Sequence, residues 1–231
     1  FSFPSLWIFV SLECLLGALI FLIFGRDPRN MERHQHRFFS RALKRYITSR
    51  KLVVLYTSFA VFLLGFALLG PNLNVYLFNL GYQKTTIGMM ALIGVGISTL
   101  VQPVIGSASD RYGRKLFFII AATNLAFGNI ILFYATNLPM VLASQILIGN
   151  YNIFQLIGSA YISDSVPSTV KSGALGLFGS VGSLSRSLGA IIGGYVITFT
   201  NVRTLIGYSI MFPIFSIVYI HFFLTEPTTA K

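Results

Sequence analysis

This chain is poor in charge and has almost no cysteine. Only 10% of its 231 residues are charged and only six are acidic, where a soluble domain carries roughly 25% charged residues. Its single cysteine, Cys14, lies inside an apolar run, so neither a disulfide framework nor a thiolate metal site can be assembled. The three histidines, His34, His36 and His221, have no metal-ligand company. No glycine-rich nucleotide loop is present, which disfavours ATP-driven chemistry. The apolar runs hold one acid, Glu13, with no histidine beside it, so the sequence points to no enzyme, no cofactor and no metal. The chain opens on Phe1 without an initiator methionine, a basic leader or a cleavage site, and it reads as a fragment or truncated product.

What fills the chain is hydrocarbon. Hydrophobic residues make up 55% and the mean hydropathy is +0.76. The formal net charge of +11 invites a nucleic-acid reading, but the cations sit between apolar runs rather than on one folded face. Membrane topology accounts for them, and no nucleic-acid partner is implied. Seven stretches reach the ~20 apolar residues that a bilayer crossing needs: 5–24, 52–70, 87–106, 116–135, 140–162, 174–199 and 205–224. The expectation is an all-α polytopic protein of the cell membrane with seven transmembrane helices.

Lys and Arg orient it. Arg26, Arg29, Arg33, Arg37, Arg41, Lys44, Arg45, Arg50, Lys51, Arg111, Arg114, Lys115, Lys171 and Lys231 fall on one side; Lys84 and Arg203 fall on the other, and Arg186 lies within a span. The basic side is therefore expected in the cytoplasm, with the long loop and the C-terminus on it. Within the long loop, Arg33, Arg37, Arg41, Lys44 and Arg45 interleave with apolar residues. That pattern suits either a basic helix on anionic lipid or a solvated loop.

The most informative stretch is Gly106-Ser-Ala-Ser-Asp110-Arg111-Tyr112-Gly113-Arg114-Lys115. It joins the third and fourth spans as a tight hairpin in which Gly113 turns the backbone at positive φ. Asp110-Arg111-Tyr112 matches the tripeptide that ends the third helix of G-protein-coupled receptors, and seven spans fit that topology. Against a receptor stand the long basic first loop, the lack of a second cysteine, and a seventh span without Asn-Pro-x-x-Tyr. The pattern G-x-x-x-D-R-x-G-R-K instead resembles the loop signature of the major facilitator superfamily of secondary transporters.

That resemblance covers nearly the whole chain. It implies that residues 1–24 are the last helix of an N-terminal half, 25–51 a basic cytoplasmic linker, and 52–231 the C-terminal six-helix bundle. The missing N-terminal half of the same transporter would be a partner, beside the lipid bilayer and a small-molecule substrate. It implies alternating access around a midplane site, with Gly106, Asp110, Arg111, Gly113, Arg114 and Lys115 as a gating motif. Asp110 would contact the start of the sixth span near residues 172–174, where a helix N-terminus offers unpaired N–H groups. A transport-inactive half-module used for assembly is the other function compatible with these spans.

Polar residues inside hydrocarbon nominate a substrate or coupling path. Glu13 is near the middle of the first span, and is expected to be protonated or paired. Asn72 and Asn74 follow the Gly70-Pro71 step of the second span, through which the helix is expected to bend and continue. In the fifth span, Gln145 and Asn152 lie seven apart, Tyr151 and Gln155 four apart, so each pair is expected on one helical face; hydrogen bonds between helices are the other role open to them. Arg186, midway through the sixth span, needs acceptors: an anionic substrate group, a coupling carboxylate, or Asn and Gln oxygens of neighbouring helices. Gly176, Gly179, Gly189, Gly193 and Gly194 give that span small residues for close helix packing. Its stretch 185–194 resembles the family's glycine-rich antiporter motif, with Ser185 for the first Gly and Ala190 for the Pro; that resemblance implies export rather than import, and the function it points to is proton-coupled efflux. Asn124, Asn129 and Pro213 read as packing and kink devices.

Overall fold

A computed structural model describes residues 48–226, all of them within the compact unit Phe39–Lys231. The expected first span with Glu13 and Cys14, the basic linker as far as residue 47, and the tail from residue 227 lie outside the described residues. Among the described residues every regular element is an α-helix. In order they are α1 (Arg50–Asn79), α2 (Lys84–Tyr112), α3 (Arg114–Tyr134), α4 (Leu138–Gly149), α5 (Asn152–Ser165), α6 (Ser168–Phe199) and α7 (Val202–Phe223). With α4 and α5 taken together, six segments are long and apolar enough to cross a bilayer.

The helices outrun the apolar stretches that announced them. α6 has 32 residues and α2 has 29, and at ~1.5 Å per residue each exceeds the ~30 Å hydrocarbon core. α1 passes through residues 70–71 unbroken, because the apolar pattern resumes at Val75. Two starts are capped by side chains: Asn137 accepts from the Met140 N–H and Asn201 from the Thr204 N–H, satisfying donors that a helix start leaves open.

Two expectations need correction. The signature stretch is almost wholly helical rather than a loop between spans, since α2 runs on to Tyr112, α3 begins at Arg114, and Gly113 alone is non-helical, at φ 94 and ψ 148. The fifth span is not one continuous helix. At Asn150 and Tyr151 the backbone N–H groups reach back three residues, to Leu147 and Ile148, a tight turn set between α4 and α5. Gln145 and Asn152 therefore do not share an unbroken helical face.

An aromatic stack ties the bundle together. Phe59 of α1 lies 4.0 Å from Phe178 of α6 and 5.6 Å from Phe154 of α5, while Phe154 also meets Phe62 at 4.6 Å and Phe118 of α3 at 4.8 Å. Gly158 leaves the room into which Phe178 fits. Gly65 of α1 does the same for the buried Pro213 turn of α7: a Cβ there would fall 2.5 Å from Phe212 Cβ.

Candidate functional site

The described stretch contains three carboxylates, and all three gather at the Gly113 joint. Arg114, with its side chain 13% exposed, holds two of them. Its Nη2 lies 2.6 Å from Asp110 Oδ1, one turn back on α2. Its Nε and Nη2 both donate to Asp164 Oδ2 at the end of α5, at 3.2 and 2.9 Å. Its Nη1 donates to Ser109 Oγ at 3.0 Å, and that hydroxyl donates to the Gly106 carbonyl at 2.8 Å. One guanidinium thus binds α2, α3 and α5 together, using the planar fork that distinguishes Arg from Lys.

The third carboxylate arrives from beyond α7. Glu226 accepts the backbone N–H groups of Arg114 and Lys115 at 3.1 and 3.0 Å, capping the positive end of α3. Lys115 Nζ donates to the His221 carbonyl at 2.7 Å, and Tyr161 Oη to the Thr225 carbonyl at 2.6 Å. Gly113 is required twice over here. Its φ lies where side chains are strained, and a Cβ would sit 2.6 Å from Glu226 Oε1. Arg111 is exposed beside the cluster and, among the described residues, has no partner.

Asp110 does not reach α6 as expected. α6 starts at Ser168, behind Pro167, with no side-chain cap; Asp110, 59% exposed, pairs with Arg114 instead. The helix end that receives a carboxylate is that of α3, and the carboxylate is Glu226. Neither Asp164 nor Glu226 stood out in the sequence. A signal was there: in a chain with six acids, both lie at span ends on the side of the cationic signature.

The mid-span candidates divide by surroundings. Asn72 donates to the Leu68 carbonyl of its own helix at 3.2 Å, and Asn74 lies exposed on α1. Gln145 is half-buried with its Nε2 unpartnered; Asn129, fully buried, leaves both amide atoms unpartnered, as does Asn150 its Oδ1. Asn152 is half-buried and Gln155 exposed on α5. Tyr151 stacks on Phe66 with ring centres 3.9 Å apart. Arg186 is half-buried and bonds to no described residue. It lies 18 residues into α6 and 13 from its end, about 20 Å from the nearer terminus.

The helices are unequally covered. Of the eighteen most apolar residues in a row, 67% are buried in α1 but 17% in α2 and 22% in α6. Glycines sort the same way. On α6, Gly182, Gly189 and Gly193 face α1 so closely that a Cβ would strike Phe59, Ala67 or the Leu68 carbonyl, whereas Gly176, Gly179 and Gly194 face open space. The expected packing role of these last three has no partner among the described residues. On α2, Gly94 abuts the backbone of Gln145 and Gly149, while Gly88, Gly96 and Gly106 face open space.

A family model described as Major Facilitator Superfamily matches residues 55–231. YfiU of Bacillus subtilis, described as an uncharacterized MFS-type transporter, is 33% identical over 48% of this chain and 22% of its own. The multidrug resistance protein MdtG of Proteus mirabilis is 30% identical over 60% of this chain and 36% of its own. Among solved structures, the human organic anion transporter MFSD10 superimposes with a TM-score of 0.66 at 20% identity, over 77% of this chain and 48% of that one. The chain thus spans less than half of each relative.

Proposed function

The chain belongs to the major facilitator superfamily, and from that premise we propose that it is the C-terminal half-bundle of a secondary transporter exporting a small organic solute by alternating access. Its likeness to a multidrug resistance protein favours export and an organic solute. The multi-pass bundle would sit with its Gly113 end in the cytoplasm, the side that the Lys and Arg distribution selects. The uncovered faces of α2 and α6, with glycines pointing outward, suit close docking of the missing N-terminal half.

Arg186 carries the reading. A guanidinium half-way along an apolar helix stays charged, and with no partner among the described residues it is suited to water or a polar solute. It therefore marks the aqueous path and would hold a negative group of the solute, with Tyr151, Asn152 and Gln155 as further lining. All three described carboxylates sit at the Gly113 end, so a proton-carrying acid at mid-membrane is either Glu13 or a residue of the other half. The Arg114 cluster would latch the cytoplasmic side shut in one state of the cycle.

Uptake into inverted vesicles carrying the full-length gene product tests this. A fluorescent organic anion should accumulate saturably in response to a proton gradient. Arg186→Gln should reduce that uptake more than tenfold, and Arg186→Lys less severely. Equal loss for anionic and neutral dyes would remove the contact with a negative group. No uptake by the wild type would leave the chain an assembly module.

A further inference from the structure

At the end of the bundle opposite Gly113, α3 and α7 enclose a side-facing groove of about 500 Å³. Arg203 stands at its rim with the guanidinium 5.0 Å above the Phe133 ring. Asn201 lies beside it. Its Oδ1 is already taken by the Thr204 N–H and hydroxyl, which leaves its Nδ2 hydrogens to donate outward. Below the rim the wall is apolar, formed by Phe133, Gly207, Tyr208 and Met211. Gly207 borders free space: a Cβ there would meet only Phe133 Cε2, at 3.6 Å, an ordinary contact.

Two observations identify the occupant. Arg203 has no carboxylate partner, since every described acid lies at the other end. An anion held there would therefore come from outside the described residues. The groove is also flanked by apolar surface: α3 exposes Phe127 and Tyr134 and α7 exposes Met211 and Phe215, each more than half exposed, as a face against acyl chains requires. We propose that this groove binds one anionic phospholipid, the phosphate on Arg203 and Asn201 and an acyl chain along Gly207 and Met211. A planar guanidinium grips a phosphate with two parallel bonds, and its aromatic support from Phe133 fixes the fork in place. The groove between α1 and α2 offers a contrast. There Lys84 lies 5.6 Å over Phe78, but an ammonium is a hydrated point charge without a fork.

A local reporter tests the assignment. The chain has a single tryptophan, so Trp7→Phe combined with Tyr208→Trp places the only indole in the groove. The full chain is reconstituted in phosphatidylcholine vesicles containing dibrominated phosphatidylglycerol or dibrominated phosphatidylcholine. Phosphatidylglycerol should quench with roughly five-fold preference, the order expected for one basic side chain at an anionic headgroup. Arg203→Gln should abolish the preference, and Lys84→Gln should leave it intact. Gly207→Leu keeps the charge but fills the slot, and should lower quenching by both lipids. Equal quenching by the two lipids, equal effects of Arg203→Gln and Lys84→Gln, or relief of quenching by soluble glycerol phosphate would overturn the lipid site.

Discussion

Gly113 and Glu226 depend on one another at the scale of single residues. The glycine lets a carboxylate approach two N–H groups that a side chain would shield. Glu226→Gln should remove the charge from a helix cap, a loss of about 1 kcal/mol, and lower the melting midpoint by about 2–4 °C. Gly113→Ala should cost more, because φ 94 and ψ 148 is a nearly glycine-only conformation that adds about 1–3 kcal/mol of strain, and because the added Cβ displaces the same carboxylate. The double variant should melt close to Gly113→Ala alone, as shared interactions do not add. Strict additivity in detergent melting curves would show that the glycine does not protect the cap. The positive φ of Gly113 was legible from Gly between charged residues at a turn. Glu226 was not, because the contact spans 112 residues and no local pattern encodes it.

Among the elements, the six spans within the described residues were legible because length and hydropathy mark stretches able to cross a bilayer. The break between α4 and α5 was not. No Gly-Pro step marks Asn150-Tyr151, and the turn is set by packing, with Gly149 pressed on the Gly94 backbone of α2. α6 shows the same blindness. Its glycines looked alike in sequence, yet Gly182, Gly189 and Gly193 face α1 while Gly176, Gly179 and Gly194 face outward. Gly193→Leu should therefore sharply reduce the folded yield of this chain, since its side chain has only the Leu68 carbonyl to occupy. Gly179→Leu should leave yield unchanged but prevent capture of a tagged N-terminal half. Folded yield and co-purification read the two outcomes separately. Loss of yield in both variants would mean that the outward glycines also serve the half-bundle.

For the whole molecule, Arg114 is the point where α2, α3, α5 and the strand of chain after α7 meet. Asp164 takes two hydrogen bonds from its guanidinium and Asp110 is the more exposed partner. Asp164→Asn should thus weaken the junction more, by about 1–2 kcal/mol, which shifts a two-state equilibrium roughly 5–30-fold. Cysteines placed at the Gly113 end should label faster in Asp164→Asn than in Asp110→Asn. Equal labelling of the two would demote Asp164 to a structural neighbour.

The turn at Asn150-Tyr151 makes α5 a lever with its fulcrum near mid-bundle. The arm has 14 residues, about 21 Å at ~1.5 Å per residue, and Asp164 rides near its tip. The upper arm, α4, is clamped where Gly149 meets Gly94, and the lower arm is held near its start by Phe154 against Phe59, Phe62 and Phe118. A tilt of about 10° displaces the tip by about 3.6 Å, the geometric consequence of that length. That travel is larger than the 2.9 Å separation of the Arg114–Asp164 pair, so a rotation of that size about the turn would part Asp164 from Arg114.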